Sequence, residues 1–477
     1  MSETLKQKTA RGLLWGALNN GTMQFIGLVF GIVLGRLLNP SDYGMIAMIT
    51  IFTITATALQ DSGFGTAIVN LDKPKDEDYN SVFWFNVLTG LLCYVILFFS
   101  APLIARYYHH PQLVALSRYV FLSIIFSSLG VSQSAYLQKH LMVKQRAKAN
   151  VAAVLVSSCV GVAMAWKGFA YWSLATQTNV YILGNVLFYW HYSHWRPTLH
   201  IDFGPVRRMF RFSCKILATT IIQQINNNIL NILLGRYYSS RDAGYYNQAY
   251  QWNSKVIYLM QGMLGGVTQP VLVDLRNNSG RELAALRKLM RFTAFLSFPL
   301  LLGFGLVAKE FIVLAITAKW LASARLLQIL SIGGAFLPLS TLLSSFIISQ
   351  GKSGTYFVST LVLCVVQIVT MLVIYPLGVT PMVVVITLIN VVWAFVWFFL
   401  AHRLIAYSPA MFLKDIVPFA LAASAVMAVT YFVTKTITTM WVLLVARILL
   451  AAVLYFVVMK VARVKILDEC IAFILRR

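Results

Sequence analysis

The chain has 477 residues, of which 59% are hydrophobic and only 11% are charged, and its mean hydropathy is +0.74. A soluble domain has about 45–50% apolar and about 25% charged residues, so this composition excludes a soluble fold. Hydrophobic runs of about 20 residues or more recur along the chain, as membrane-spanning helices require. We therefore predict an all-α polytopic membrane protein.

We predict about fourteen transmembrane helices, joined by short connections that often contain Pro, Gly or Asn. The first follows Lys6, Lys8 and Arg11 and lacks a convincing cleavage site, so we expect it to be retained rather than removed as a signal peptide. Two close pairs, 149–166 with 169–190 and 355–376 with 380–401, can each be interpreted as one long helix. The approximate limits are 12–37, 45–70, 81–105, 113–137, 149–166, 169–190, 212–234, 245–270, 290–316, 323–349, 355–376, 380–401, 414–434 and 441–460.

The net charge of +24 raises nucleic-acid binding as an alternative function. However, both tails and alternate connections hold most of the Lys and Arg residues, which is the distribution that the positive-inside rule gives to cytoplasmic segments. This distribution predicts that both termini are cytoplasmic and that the number of helices is even. It also explains the basic balance without nucleic acid.

A short repeat, offset by 200 residues, indicates two related halves. Residues 32–44 and 232–244 are identical at six of thirteen positions without a gap. The copies lie six predicted helices apart, so both have the same orientation, as in transporters that rock two halves around a central site. We predict two parallel six-helix repeats around a central cavity, 1–211 and 212–402, followed by two extra C-terminal helices and a basic tail, 403–477.

The charged residues of the repeat admit two roles. Asp42 and Asp242 suit the N-terminal turns of helices 2 and 8, and Arg36 and Arg236 suit the carbonyl ends of the preceding helices. In the alternative, each Arg pairs with its own or the opposite Asp and closes an outer gate. The sequence leaves both interpretations open.

Polar side chains inside helices 1, 7 and 8 are candidates for lining a substrate cavity. Lys255 lies roughly 16 Å from the outer end of its helix, near the middle of a hydrocarbon core about 30 Å thick. A cation there costs about 2.5–3.5 kcal/mol on insertion scales, so it should face protein or water. In the alternative, the amides are interhelical hydrogen-bonding groups and Lys255 is a paired structural cation. The candidate amides are Gln251, Gln248, Gln224, Asn227, Asn228, Asn231, Asn20 and Gln24.

Two further charged residues lie within predicted helices. Asp61 stands beside Gly63 and Gly65, where the second helix can break, and is a candidate for ion coupling or for polar helix packing. Arg447 lies about two turns inside the last helix, and we expect its long side chain to extend outward to the membrane surface.

Motifs for catalysis and metal binding are missing from the sequence. It has no Walker P-loop, no HExxH and no nucleophile elbow, and its five cysteines form no CxxC or Cys/His set. The predicted outer connections are too short for the catalytic groups of a membrane-bound glycosyltransferase or polymerase. We therefore predict no enzyme activity, no catalytic or metal-binding residue and no cofactor.

Five short stretches carry a family resemblance. They read DSGFGTAIV at 61–69, NSVFWFN at 80–86, APLIA at 101–105, HHPQL at 109–113 and DAGYYNQA at 242–249. With this order and the six-helix repeat, the chain resembles the polysaccharide transport family of the MOP flippase superfamily. Within that family it is most similar to the Wzx-type, colanic-acid-exporter-like branch of lipopolysaccharide biosynthesis.

The resemblance implies a flippase of the bacterial inner membrane. Such a protein moves undecaprenyl-pyrophosphate-linked oligosaccharide units to the outer leaflet for surface polysaccharide assembly, by alternating access. The implied partners are this lipid-linked substrate, membrane lipid, H⁺ or Na⁺ as a coupling ion, and a polysaccharide polymerase or assembly proteins. The alternative is a cation-coupled exporter of small amphiphilic compounds from the same superfamily, which would be expected to have acidic cavity residues rather than Lys255.

Overall fold

The computed structural model describes the backbone of residues 5–274, 279–464 and 466–469, and the side chains of these ranges except 5–18, 210–216, 263–274 and 279. Within these ranges the chain is helical and has no β-strand. Short 3₁₀ helices precede α13 and α16. The α-helices are α1 (Leu5–Leu37), α2 (Pro40–Asp61), α3 (Phe64–Asn70), α4 (Asp76–Tyr108), α5 (Leu113–Ser128), α6 (Val131–Lys139), α7 (Val143–Trp166), α8 (Tyr171–Tyr192), α9 (Gly204–Tyr237), α10 (Ser240–Asp274), α11 (Ser279–Leu306), α12 (Ala308–Ile316), α13 (Leu321–Gly334), α14 (Leu337–Ser349), α15 (Ser353–Ile374), α16 (Val379–His402), α17 (Pro409–Thr434) and α18 (Met440–Val461).

The predicted polytopic all-α architecture is confirmed. Among the described residues, ten helical segments are long and apolar enough to cross a membrane, and the pair α5–α6, bent by 42°, makes an eleventh. The other three predicted spans lie on α8, α9 and α10. Asn, Gln, Thr and Tyr side chains lower the hydropathy of the described parts of these three helices, and α9 and α10 extend into residues 210–216 and 263–274, whose side chains are outside the described set.

Both ambiguous pairs form separate helices. Gly168, with φ +84°, lies between α7 and α8, and Gly378, with φ +110°, lies between α15 and α16. Glycine adopts such positive φ angles without steric cost, so each chain reversal falls where the sequence allows it.

The chain divides into two compact units, Met1–Gly244 and Tyr245–Arg477. In the first unit, α7 packs against α1 and α8, and α9 packs against α2 and α4. A buried cluster that includes Met48, Tyr108 and Phe121 joins α2, α4 and α5. The predicted division at residues 211 and 402 stays a prediction.

The second unit contains a buried ion cluster between α11 and α17. The side chain of Asp415 is 0% exposed. It accepts hydrogen bonds from Arg287 at 2.8 and 3.0 Å, from Arg291 at 2.5 Å and from the Tyr407 hydroxyl at 3.0 Å. Burial and the adjacent carboxylate raise the pKa of Tyr407, so this hydroxyl remains a donor at neutral pH. The cluster therefore ties α17 to α11 through charge-assisted hydrogen bonds.

A second ion pair corrects the expectation for Arg447. Its guanidinium does not extend outward to the membrane surface; it lies 2.9 Å from Glu310, and the two side chains are only 8% and 5% exposed. It also donates to Thr434 and to the Leu306 carbonyl, both at 3.3 Å. A buried acid on α12 supplies the counter-charge, which makes pairing inside the protein more favourable than reaching for headgroups.

We expect Asp415→Ala to destabilise the second unit, because it leaves two arginines without their buried acceptor. Breaking such a pair costs about 3–5 kcal/mol, measurable as a loss in the free energy of unfolding of the detergent-solubilised chain. Glu469→Ala is the matched control, since its pair with Lys288 is 55% and 65% exposed and is worth about 0–1 kcal/mol. Equal losses in the two variants would contradict a structural role for the Asp415 cluster.

Candidate functional site

The amides of α9 divide between buried and exposed positions. Asn231 and Asn228 are 2% and 9% exposed, and Asn228 donates to the Gln224 carbonyl one turn earlier at 2.9 Å. Gln224 is half-buried and Asn227 is exposed. The Asn231 side-chain oxygen is buried and accepts no hydrogen bond from the described residues. Asn227 is therefore accessible to a ligand, whereas Asn228 and Asn231 lie in the packed part of the helix.

On α10, Lys255 is the central feature of the predicted site. It is half-buried, and its Nζ lies 5.2 Å from the centre of the Trp252 ring, within cation–π range. Trp252 is itself held edge-on by Phe311. Within the described residues Lys255 forms no ion pair. An ammonium in contact with an aromatic face, rather than with a carboxylate, keeps its charge available to an anionic ligand.

The neighbouring amides of α10 differ in access. Gln248 is 3% exposed, whereas Gln251 is exposed and donates to the Asn247 side chain at 2.6 Å. Gln251 and Lys255 are four residues apart, so they share one face of the helix. This face carries one accessible amide and one cation.

On α1, a cavity that the sequence did not indicate is lined by Asn19, the sequence neighbour of the predicted Asn20. Asn20 is exposed and Gln24 is half-buried. Their neighbour Asn19 lines a cavity of about 400 Å³ against Val151 and Leu155 of α7. The Asn19 side-chain oxygen is buried and accepts no hydrogen bond from the described residues. The sequence could not favour Asn19 over Asn20, because only packing sets the rotation of the helix.

Asp61 stands at a break in the second predicted helix. The helix α2 ends at Asp61, Gly63 adopts φ +75° and α3 begins at Phe64, so the expected break is present. The backbone N–H groups of Gly63 and Gly65 donate to the carboxylate. Asp61 lines a cavity of about 320 Å³ together with Ser127, Asn185 and Tyr189. A carboxylate held by backbone donors and open to a polar cavity can bind a proton or a small cation.

The two repeated aspartates take part in the caps at two helix starts. Asp42 accepts the Asn39 backbone N–H at 2.8 Å at the start of α2. Asp242 accepts the Ser239 hydroxyl at 2.6 Å, and that hydroxyl accepts the Asp242 N–H at 3.1 Å. Asp42 therefore accepts an amide directly at its helix start, whereas in the second copy Ser239 caps the Asp242 amide and Asp242 holds the Ser239 hydroxyl.

The two repeated arginines lie in different settings. Arg236 donates to the Tyr107 carbonyl and meets the His109 ring at the end of α4, and its guanidinium stacks on the Tyr107 ring at 4.9 Å. Arg36 is exposed. A gate role for Arg36, Asp42, Arg236 and Asp242 stays a prediction.

The repeated glycines bring two helix starts into backbone contact. A Cβ on Gly44 would lie 1.7 Å from the Ser240 carbonyl oxygen, and a Cβ on Gly244 would lie 1.7 Å from the Pro40 carbonyl oxygen. The two contacts are reciprocal: each glycine meets the residue that corresponds, at the 200-residue offset, to the partner of the other glycine. We refer to this contact of residues 40–44 with 240–244 as the glycine crossing. The 200-residue repeat identified these two glycines. It could not show that they allow close backbone contact, because that depends on how the two helices pack.

The family model for "Polysaccharide biosynthesis protein" matches residues 33–325, more than half of the chain. The chain belongs to this family. The predicted family relationship is thereby confirmed. The matched range includes Lys255, Asp61 and both helices of the glycine crossing.

Curated relatives of the chain have related names. The teichuronic acid biosynthesis protein TuaB of Bacillus subtilis is 24% identical over 367 residues, which cover 74% of each chain. The lipopolysaccharide biosynthesis protein WzxC of Escherichia coli is 24% identical over 360 residues, covering 74% of this chain and 72% of the relative. The succinoglycan biosynthesis transport protein ExoT of Rhizobium meliloti is 23% identical over 343 residues, covering 72% and 69%.

Solved structures support the same fold. The lipid II flippase MurJ, in an inward closed conformation, matches with a TM-score of 0.76 at 14% identity, covering 97% of this chain and 100% of that one. An inward-facing multidrug resistance transporter of the MATE family in the MOP superfamily matches with a TM-score of 0.66 at 15% identity, covering 80% and 94%. At these identities the likeness concerns the fold, which is that of polytopic helical transporters.

We expect Gly44→Ala and Gly244→Ala each to destabilise the first unit, because the added methyl group meets a backbone oxygen that has no side-chain freedom. Forced overpacking costs about 1–3 kcal/mol or more, measurable as a lower melting temperature in detergent. Gly31→Ala is the control, because a Cβ there meets no atom within 4 Å and alanine favours the helix by up to about 1 kcal/mol. If all three variants melted alike, the glycine crossing would not be a close contact in the folded protein.

Proposed function

We propose that the protein is a flippase that moves undecaprenyl-pyrophosphate-linked oligosaccharide units across the bacterial inner membrane for surface polysaccharide assembly. Membership of the polysaccharide biosynthesis family supports this substrate class, since relatives are named for teichuronic acid, lipopolysaccharide and succinoglycan biosynthesis. The observation that carries the proposal is Lys255, a half-buried cation at membrane depth that has no carboxylate partner among the described residues.

The chemistry of the site suits the two polar parts of such a substrate. The Lys255 ammonium attracts the pyrophosphate through charge-assisted hydrogen bonds. The accessible amides Asn227, Gln251 and Asn20 offer both donors and acceptors, which sugar hydroxyls require. The prenyl chain remains in the lipid, because transferring it to water would lose about 0.8 kcal/mol for each exposed CH₂ group.

We propose that transport proceeds by alternating access between the two repeats. The glycine crossing closes one side of the substrate path. When that side opens, residues 40–44 move away from residues 240–244. Both termini lie in the cytoplasm, so the crossing belongs to the outer side. A polymerase or other assembly protein then takes the delivered unit at the outer leaflet.

The alternative, an exporter of small amphiphilic cations, is less favoured. A cationic drug would be repelled by Lys255, and none of the residues predicted to line the substrate cavity is acidic. The MATE structures also cover a smaller share of this chain than the MurJ structure does.

We expect Lys255→Gln to lower transport about tenfold or more, because a hydrogen bond to a charged group is worth about 1.5–3 kcal/mol. The measurements are the level of surface polysaccharide and the accumulation of lipid-linked intermediate in cells. Lys255→Arg retains the charge and should retain part of the activity, and the exposed Lys352→Gln is the matched control. Normal transport by a well-expressed Lys255→Gln protein would remove Lys255 from the mechanism.

Deletion of the gene tests the function itself. Loss of surface polysaccharide, together with a lipid-linked intermediate retained on the cytoplasmic side, is the expected result. If neither occurs, the flippase proposal is wrong whatever the role of Lys255.

We propose Asp61 as the coupling group for H⁺ or Na⁺. Asp61→Asn should make transport in reconstituted vesicles independent of the ion gradient, because the amide can neither titrate nor neutralise a cation. Asp61→Glu should keep the dependence, and Asp72→Asn in the exposed loop should leave it unchanged. A wild-type rate that responds to neither gradient would reject coupling at Asp61.

A further inference from the structure

A cavity of about 470 Å³ lies in the second unit between α11, α17 and the end of α18. Three of its described lining side chains are cations, Arg291, Lys414 and Arg463, and none is an acid. The remaining lining residues are apolar. None of the residues predicted to bind the transported substrate lines this cavity.

The cations and the apolar residues are separated along the helices. Lys414 lies near the start of α17, and Pro418 and Ala422 follow at intervals of four residues on the same face, which extends roughly 12 Å further along the helix. Arg463 lies just beyond the end of α18, and Val458 lies inside that helix. Because α17 and α18 form a hairpin, both place a cation at one end of the cavity and apolar surface towards the membrane interior.

Two carboxylates near the cavity form ion pairs with residues other than Lys414 and Arg463. The carboxylate of Asp415 is fully buried and shared between Arg287, Arg291 and Tyr407. Glu469 pairs with Lys288 at 2.7 Å. Within the described residues, Lys414 and Arg463 form no ion pair. Arg291 is neutralised by Asp415, so Lys414 and Arg463 supply the positive charge that an anionic ligand can meet in this cavity.

We propose that this cavity binds an anionic membrane lipid, with the lipid phosphate at Lys414 and Arg463 and an acyl chain along Pro418, Ala422 and Val458. Basic pockets between membrane helices are a recurring means of binding lipid headgroups. The apolar face argues against a free phosphate ion, which would leave it in contact with water. The site does not depend on the identity of the transported substrate.

The test uses the purified full-length chain, titrated with phosphatidylglycerol and analysed for bound lipid by native mass spectrometry. Each basic residue near an anionic lipid contributes about fivefold in affinity. We therefore expect Lys414→Gln and Arg463→Gln each to weaken binding about fivefold, and the double variant about 25-fold. Both side chains are exposed, so the fold should be retained, as unchanged melting and gel-filtration profiles would verify. Lys435→Gln, exposed at the opposite end of α17, is the control and should bind as the wild type does.

Two further arms identify the source of the phosphate. Phosphatidylcholine, whose headgroup has no net charge, should bind more weakly and show no difference between the variants. Inorganic phosphate at the same concentration should not displace phosphatidylglycerol. The proposal is overturned if the double variant binds phosphatidylglycerol as tightly as the wild type, or if inorganic phosphate displaces the lipid at equal concentration. Rising salt should weaken phosphatidylglycerol binding to the unmodified chain, and salt-independent binding would also contradict the proposal.

Discussion

A charge inside a lipid bilayer is stabilised by partners within the protein, and this constraint holds α17 and α18 in place. Asp415, near the start of α17, is bound by Arg287 and Arg291 of α11. Near the other end of α17, Thr434 accepts from Arg447 of α18, which pairs with Glu310 of α12. The α17–α18 hairpin is thus attached at two levels of the second unit. Apolar packing alone would leave its rotation about the helix axis far less determined.

The same constraint explains why the repeat contains an aspartate and a glycine two residues apart. The first amide groups of a helix have no partner within the helix, so they normally require water or a cap. Asp42 caps the start of α2, and Ser239, held by Asp242, caps the start of α10. The glycines at 44 and 244 remove the side chains that would keep the helices apart. Once the amides are satisfied and the surface is bare, two helix starts can touch without water between them. The Asp-x-Gly spacing that both copies share therefore supports a single contact, the glycine crossing.

The helices were predictable because hydropathy and glycine placement are local properties. The polar segments α9 and α10 were also identified, since their flanking apolar residues define the spans. Partners distant in sequence were not predictable: Arg447 was expected to extend outward because nothing near it in the chain indicates Glu310. Helix rotation had the same limit, since Asn227 and Asn228 are adjacent yet one is exposed and the other buried. The amides of the candidate site were therefore found as a group and could be separated only by their packing.

Duplication supplied two copies of one architecture, and their chemistry has diverged. At the 200-residue offset, Gln248 and Lys255 of α10 correspond to Met48 and Thr55 of α2. Met48 is fully buried and packs in the core of the first unit. At this position the first copy therefore contributes to the stability of the fold. In α10 the corresponding face carries a cation that contacts an aromatic ring instead of a carboxylate, an arrangement that stabilises the fold less than an apolar residue would. Local departures of this kind are expected where function rather than packing selects the residue, which agrees with the substrate-binding role proposed for Lys255.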